Sequence, residues 1–318
     1  MIANSISVIV PTIGRAESLT QLLTSLAAQS LRPGEVIVAD GSSTDDVTKV
    51  IAEPRWAIGG LNVRRVAVHP PNAVRQRVAA IAESAAEYLL LLDDDVVLEP
   101  DCVEQLLAVL ANQPGVVGAF ADFSNQSWSM PTRAWHFYLR HVLGMEEGSW
   151  QGRVVGPLLR FGYNPAPAQV TPIEWLGTCN TMIRRTAYDQ VGGFSDFFLH
   201  RCTMNEDVDL GLKISTVGTI VFCPAARMAH HHAPAGRVSA AVAAEDDLYN
   251  RYLILRRTVG RSRWHAFGLV CLFLGVETLG NLGGSLWRFQ GHGFIPRLAG
   301  RLKAVGRILA PSRREAGV

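Results

Sequence analysis

Three places in the chain hold groups that could work on a charged or hydroxyl-bearing substrate. Asp93, Asp94 and Asp95 follow the apolar run YLLLL directly, His230, His231 and His232 close the segment ARMAHHH, and Glu206 and Asp207 open NEDVDLGLK. Repulsion among neighbouring carboxylates grows as the surroundings become apolar, so a strand that runs straight into three of them calls for a positive partner. Carboxylate oxygens together with an imidazole suit a hard divalent cation such as Mg²⁺ or Mn²⁺ better than a thiolate site would. An acid like Asp207 can take a proton from a hydroxyl. The same acids, Glu206, Asp207 and Asp209, also read as a solvated helix start favoured by the helix dipole. A fourth stretch, ADGSSTDD at 39–46, is by itself an ordinary polar turn with residues suited to cap the next helix.

The elements that must carry these groups alternate in type. ISVIV at 6–10 is a short continuous apolar run ended by Pro11, as in a strand buried on both faces. Leu19, Leu22, Leu23 and Leu26 then recur at helical spacing, and EVIVAD follows as a second strand. NVRRVAV, the helix NAVRQRVAAIAESAA, and the strand EYLLLLDDD repeat the unit. The pattern predicts an α/β fold with a mainly parallel sheet, whose ligands lie beyond the carboxyl ends of the strands. Asp40 and the Asp93–Asp95 cluster both fall at such ends. PDCVEQLLAVLANQPG reads as a helix and GVVGAFADF as a strand, NEDVDLGLKISTVG as a helix on the sheet, and TIVFCPAARMAHHH as a last strand. Residues 124–172, rich in Pro, Gly and Trp, read as a functional loop region.

The 318 residues are 48% hydrophobic and 18% charged, enough for a large core and not a disordered chain. The formal net charge of +2 hides an asymmetry. From Arg251 onward there are twelve Lys or Arg against two acids, whereas the preceding residues hold 18 basic and 26 acidic ones. The acidic body argues against nucleic acid as a partner, and the basic tail favours an anionic one. Five scattered cysteines without a CxxC pair read as buried free thiols in a reducing compartment. MIANSISVIVP lacks a basic region and a long apolar core, so no signal peptide is expected and the placement is cytoplasmic. Residues 266–286 have the length of a spanning helix, but Glu277, Asn281 and five glycines favour a buried or interfacial amphipathic helix.

In order along the chain, ISVIVPTIGRAESLTQLLTSLAAQ, EVIVADGSSTDD, YLLLLDDDVVLEPD, GTCNTMIRRTAYDQVGGF with NEDVDLGLK, and ARMAHHH resemble the successive motifs of the inverting family 2 glycosyltransferases. The resemblance runs from about residue 5 to 257 and implies a GT-A fold: a Rossmann-like, mainly parallel sheet with flanking helices, followed by a helical C-terminal region at 258–318. It also implies roles. Asp40 would accept a hydrogen bond from a pyrimidine base, with Pro11, Thr12 and Arg15 along the base and phosphate side. Arg75, followed by Gln76 where the family has Asn, would join the donor site. Asp93 or Asp94 would hold the ribose side. Asp95 would bind the metal together with His230, with His232 as the alternate. Asp207 would be the base and Glu206 its orienting partner. Trp175, in IEWLGTCN, would offer an apolar platform for a sugar, unless it is a core residue.

The activity implied is metal-dependent, inverting transfer of a sugar from a nucleotide diphosphate sugar, UDP- or dTDP-linked, to a glycan or lipid-linked acceptor in polysaccharide assembly. Physical chemistry supports the assignment of groups. Negative charge develops on the leaving diphosphate, a divalent cation neutralises it, and the acceptor hydroxyl needs a base on the opposite face. The basic tail would add peripheral contact with anionic lipid at the inner face of the cell membrane. One alternative is a silent nucleotide-sugar-binding scaffold. Another is a metal-dependent nucleotidyltransferase or phosphohydrolase, which would want a basic, glycine-rich phosphate loop that PTIGRAES hardly supplies.

Overall fold

The computed structural model describes residues 5–200, 204–232, 238–288 and 293–310. The chain divides into two compact units, residues 1–128 with 163–237 and residues 129–162 with 238–318. The boundary read from sequence at 257/258 therefore falls inside the second unit.

In chain order the elements are β1 (Ile6–Thr12), α1 (Ala16–Ala27), β2 (Glu35–Asp40), α2 (Asp46–Ile51), α3 (Arg55–Ile58), β3 (Val63–Ala67), α4 (Ala73–Ala82), β4 (Tyr88–Leu92), β5 (Val96–Leu98), α5 (Cys102–Asn112) and β6 (Val116–Phe123). They continue with α6 (Arg133–Phe137), β7 (Val154–Val155), β8 (Leu159–Arg160), β9 (Thr171–Ile173), β10 (Asn180–Arg184), α7 (Arg185–Gln190), α8 (Glu206–Ile214), β11 (Thr219–His230), α9 (Ala240–Arg257), α10 (Arg263–Arg288) and α11 (Phe294–Leu309).

The first unit is built on a nine-stranded sheet in the order β3-β2-β1-β4-β10-β6-β11-β5, with β9 beside β11. β3, β2, β1 and β4 run parallel, which places the ends of β1, β2 and β4 along one edge. The apolar runs are unbroken because both faces are covered: Val8–Val10 and Leu89–Leu92 have no exposed surface. Leu19, Leu22, Leu23 and Leu26 form the buried stripe of α1, as their spacing predicts. The parallel reading changes beyond β4, where β10 enters antiparallel between β4 and β6. Its sequence, NTMIR, is too short for periodicity to reveal a direction.

β11 sets the far side of the edge. It runs parallel to β6, shifts register between Cys223 and Arg227, and then pairs antiparallel with β5 so that His230 lies opposite Val96. α8 enters through Asn205, whose φ of 68° lies in the left-handed region that Asn tolerates better than most residues.

In the second unit α9 and α11 cross closely: a Cβ on Gly300 would meet the Ala241 carbonyl oxygen at 2.0 Å. Glu245 pairs with Lys303 and Arg307 at 2.9 and 2.8 Å, and Arg307 lies 3.6 Å over the Tyr249 ring. Arg251 lies 4.1 Å from the Phe273 ring centroid and donates to the carbonyls of Pro157 and Leu158. Glu277 accepts from Trp135 Nε1 at 2.8 Å and pairs with Arg301, so the charge inside the apolar helix has protein partners. Among the described residues no helix is long and apolar enough to cross a membrane. Of the thiols, Cys102 and Cys223 are buried as expected, Cys179 is half-buried, and Cys271 is exposed; Cys202 lies outside the described residues. The exposure of Cys271 corrects the expectation of buried thiols throughout, because α10 covers only one of its faces.

Gly211 lets α8 approach the Trp175–Leu176 backbone, since a Cβ there would sit 2.8 Å from Trp175 Cα and 2.9 Å from Leu176 N. Glycine ordinarily weakens a helix, and here close packing requires it. Gly211→Ala is expected to lower the unfolding free energy by about 1–3 kcal/mol, as overpacking does, when measured by urea denaturation.

Candidate active site

The ends of β1, β2 and β4 bring Thr12, Asp40 and Asp93–Asp95 to one edge, and the β5–β11 pairing adds His230. The three aspartates point to different partners. Asp94 is 2% exposed and accepts from Thr12 Oγ1 at 2.6 Å and from Arg15 Nη1 at 2.9 Å. Asp95 lies 3.6 Å from Arg15 Nη1 and 3.1 Å from His230 Nε2, and its carbonyl accepts from the His231 amide. Asp93 is one-third exposed and ion-pairs with Arg77 Nη2. Burial raises the Asp94 carboxyl from its ordinary 3.8 to about 6, while the hydrogen bonds from Thr12 and Arg15 pull it back.

Asp93, Asp95 and His230 each offer a ligand atom within 4.8 Å of the others. Two carboxylates and one imidazole are a donor set that fits a divalent cation of the Mg²⁺ or Mn²⁺ type, and Asp95 and His230 were both expected in it. Asp93 joins them, whereas Asp94 is turned to the β1–α1 side. His232 adopts φ 52° and is exposed, with its ring 4.0 Å from that of His230.

Hydrogen bonds tie the loops after β1 and β2 together. Gly14 N donates to Ser42 Oγ at 2.7 Å, and Gln76 Nε2 donates to the carbonyls of Thr12 and Ala39, pinning the ends of β1 and β2. Asp40 is fully buried: one oxygen accepts from the Ser42 amide and the other pairs with Arg65 at 2.8 Å. Pro11 is buried in β1 beside it, and Arg15, 17% exposed, opens α1.

On the other side of the acid cluster, Glu206 is buried, accepts from Thr178 Oγ1 at 3.2 Å and lies 3.6 Å from Arg77 Nη1. Burial raises its carboxyl well above the usual range, repulsion from Asp207 adds to this, and Arg77 opposes both. Asp207 is half-buried, and its own carboxylate accepts from the Val208 amide at 2.8 Å. Asp209 is 1% exposed and fixed by Ser195 Oγ at 2.6 Å, so it belongs to the packing of the helix start. Of the three acids at this helix start, Asp207 is the accessible one.

Arg75, expected in the donor site, donates through its guanidinium to the carbonyls of Pro70 and Leu199 and clamps the 198–199 segment, as does Asn72 through Phe198. One expectation needs correction. Trp175 is 2% exposed, with Phe120 and Trp128 edge-on at 5.1 and 5.0 Å, which makes it a core side chain and not an open platform. The residue that sequence reasoning missed is Arg77. It is 2% exposed, bridges Asp93 and Glu206, and leaves Nε and Nη1 buried without a hydrogen bond. The signal was present, since Val74, Arg77 and Ile81 form the buried stripe of α4 at i, i+3, i+7, and an arginine on that stripe needs an acid.

The sheet order, with acids and a histidine along one edge, is that of the GT-A fold. Solved structures agree on that fold. The mannosyltransferase PcManGT of Pyrobaculum calidifontis, in complex with GDP-Man and Mn²⁺, is similar with a TM-score of 0.56 at 16% identity, covering 95% of this chain and 86% of that one. S. aureus TarS 1-349 in complex with UDP is similar with a TM-score of 0.54 at 16% identity, covering 96% and 82%. The sequence pattern of Glycosyl transferase family 2 matches residues 7–192, more than half of the chain, and the chain belongs to that family. Among curated relatives, it is 26% identical over 238 residues to the N-acetylglucosaminyl-diphospho-decaprenol L-rhamnosyltransferase of Mycobacterium tuberculosis (strain ATCC 25618 / H37Rv), covering 71% of this chain and 76% of that protein. It is 28% identical over 268 residues to the O-antigen biosynthesis protein RfbC of Myxococcus xanthus, covering 80% of this chain but only 19% of RfbC.

Two measurements test the electrostatics. Arg77→Met is expected to lower the unfolding free energy by about 3 kcal/mol in urea titrations, because removing one partner of a buried pair strands the other. That is the low end for such pairs, since Asp93 remains one-third exposed. For Asp94, the folded state holds its proton up to about pH 6 and the unfolded state only to about 3.8. Between these values the folded state binds more protons, so this group makes stability fall as pH rises. In EDTA, Asp94→Asn should flatten the decline in unfolding free energy across that window relative to the unaltered protein.

Proposed function

We propose that the chain transfers a sugar from a nucleoside diphosphate sugar to a hydroxyl of a lipid-linked saccharide, with inversion at the sugar carbon and with the help of a divalent cation. The observation that carries this reading is the Asp93, Asp95 and His230 cluster facing Glu206 and Asp207 through one buried arginine. The nucleotide lies along the ends of β1 and β2, with Pro11, Thr12, Arg15 and Asp40 on the base and phosphate side. Asp40 presents its carboxylate only when Arg65 yields one oxygen to a ring N–H. Asp95, His230 and Asp93 hold the cation, which when bound neutralises the charge that develops on the leaving diphosphate.

Asp207 takes the proton of the attacking hydroxyl, on the face of the sugar opposite the leaving group. Glu206 does not compete for this role, because burial keeps it protonated to higher pH than an ordinary carboxyl. In that form it orients the acceptor as a hydrogen-bond donor. Thr12 and Arg15 hold Asp94 on the β1–α1 side, so Asp93 and Asp95 are the members of the triplet that stand with His230.

The names of relatives support the partners. The mycobacterial relative is a rhamnosyltransferase that acts on a decaprenol-linked sugar, and TarS has been solved with UDP. The mycobacterial name favours a polyprenyl-linked acceptor and a role in polysaccharide assembly; the UDP- or dTDP-sugar donor rests on Asp40 at the end of β2, and the position at the cytoplasmic face of the membrane on the basic residues of the second unit. The basic second unit then touches anionic lipid.

A thermal-shift series with UDP-, dTDP- and GDP-sugars, with and without Mn²⁺, should show one donor whose stabilisation requires the cation. Asp95→Ala is expected to lose the cation-dependent part of that shift. Asp207→Asn is expected to keep the shift and to lose transfer to a polyprenyl-diphosphate-linked sugar by about a thousandfold or more, a loss typical of removing a general base. Full transfer by Asp207→Asn would overturn the assignment of the base.

A further inference from the structure

The second unit leaves helix faces open that a soluble surface would not. α10 packs through Ala266, Val270 and Phe273. Trp264, Gly268, Cys271, Gly275 and Leu279 recur on its opposite side at i, i+4, i+7, i+11 and i+15, and all are exposed, Trp264 by 69% and Leu279 by 71%. From Trp264 to Val276 no residue is acidic or is Lys or Arg. A solvent-facing helix side is ordinarily charged or polar, so this one is written for an apolar neighbour. α11 repeats the pattern: Ile295, Leu302 and Leu309, seven residues apart, are 73%, 56% and 49% exposed.

Charge says what that neighbour is. No Asp or Glu lies between Asp247 and Glu277, whereas Arg256, Arg257, Arg261 and Arg263 lead directly into Trp264, and the last three are exposed. The whole second unit, residues 129–162 and 238–318, holds sixteen Lys or Arg against seven acids, and the first holds fourteen against twenty-one. A second copy docking through α10 would set arginine cluster against arginine cluster without an acid to meet it. An anionic lipid surface meets both demands, with phosphates for the arginines, head-group depth for the Trp264 indole, and the acyl boundary for the apolar strip.

We propose that α10, with its leading arginines, is an in-plane membrane-insertion helix that seats the enzyme on anionic lipid, and that the exposed stripe of α11 is a second contact of the same kind. The helix lies in the interface instead of crossing it, because its other face is packed through Ala266, Val270 and Phe273 and its Glu277 is paired with Arg301. This inference rests on the membrane contact proposed above and names the face that makes it.

The test is co-sedimentation of the full chain with phosphatidylcholine vesicles, with and without phosphatidylglycerol. A side chain at Gly268 or Gly275 would meet nothing within 4 Å, so Gly268→Glu with Gly275→Glu puts charge on the open face without a clash. The unaltered chain is expected to bind the vesicles containing phosphatidylglycerol, less so at high salt, and the double variant to bind them about tenfold more weakly, with its donor-induced thermal shift unchanged. If the unaltered chain ignores anionic vesicles, both the membrane contact and this face fail. If it binds and the double variant binds equally well, the membrane contact stands and α10 is the wrong face. If the double variant instead converts a dimer to a monomer in light scattering, with vesicle binding unchanged, the face is a self-interface and the proposal is overturned.

Discussion

The structure of the first unit depends on how three carboxylates are tolerated at the end of a fully buried strand. β4 carries them to the sheet edge, and two arginines from different helices divide the charge: Arg15, at the start of α1, takes Asp94 and Asp95, and Arg77, on the inner face of α4, takes Asp93. Each carboxylate so placed would otherwise bear the cost of desolvation alone. Because the two guanidiniums are committed, the helices that carry them are fixed against the same edge. Gln76 adds a second constraint by joining the ends of β1 and β2, so that edge is held by hydrogen bonds to backbone and does not depend on loop packing alone.

Arg77 also joins the two halves of the chemistry. It faces Asp93, among the residues suited to a cation, and Glu206, at the head of the helix that presents Asp207. This arrangement gives the two groups of acids a common register over elements far apart in sequence. The close approach of α8 at Gly211 and the left-handed turn at Asn205 serve the same end, since together they set where the first turn of that helix points. The acids thus gather in the first unit, and the second carries the basic residues and the exposed apolar helix faces.

Much of this was legible in the chain. YLLLLDDD announces a buried strand ending in charge because no exposed strand would hold four consecutive leucines, and the acids of NEDVDLGLK mark a helix start. Arg75 and Arg77 show where the reading stopped. They are two residues apart on α4 and so lie on different faces, and a window of sequence that matches one by motif says little about which face meets the acids. Trp175 is a similar case, since the same indole serves as a platform or as core depending on what covers it, and here Phe120 and Trp128 do.

By itself, then, the sequence determined the alternation of β1 to β4 with α1 and α4, the edge at which the acids gather, the acid and histidine motifs, and the charge contrast along the chain, because these follow from periodicity and side-chain type. Only the tertiary structure decided that β10 enters antiparallel, that Asp93 and not Asp94 stands with Asp95 and His230, and that Arg77 links them to Glu206. Such outcomes rest on strand register and on which side of a helix is buried, and both are set by contacts between residues of different elements, most of them distant in the sequence.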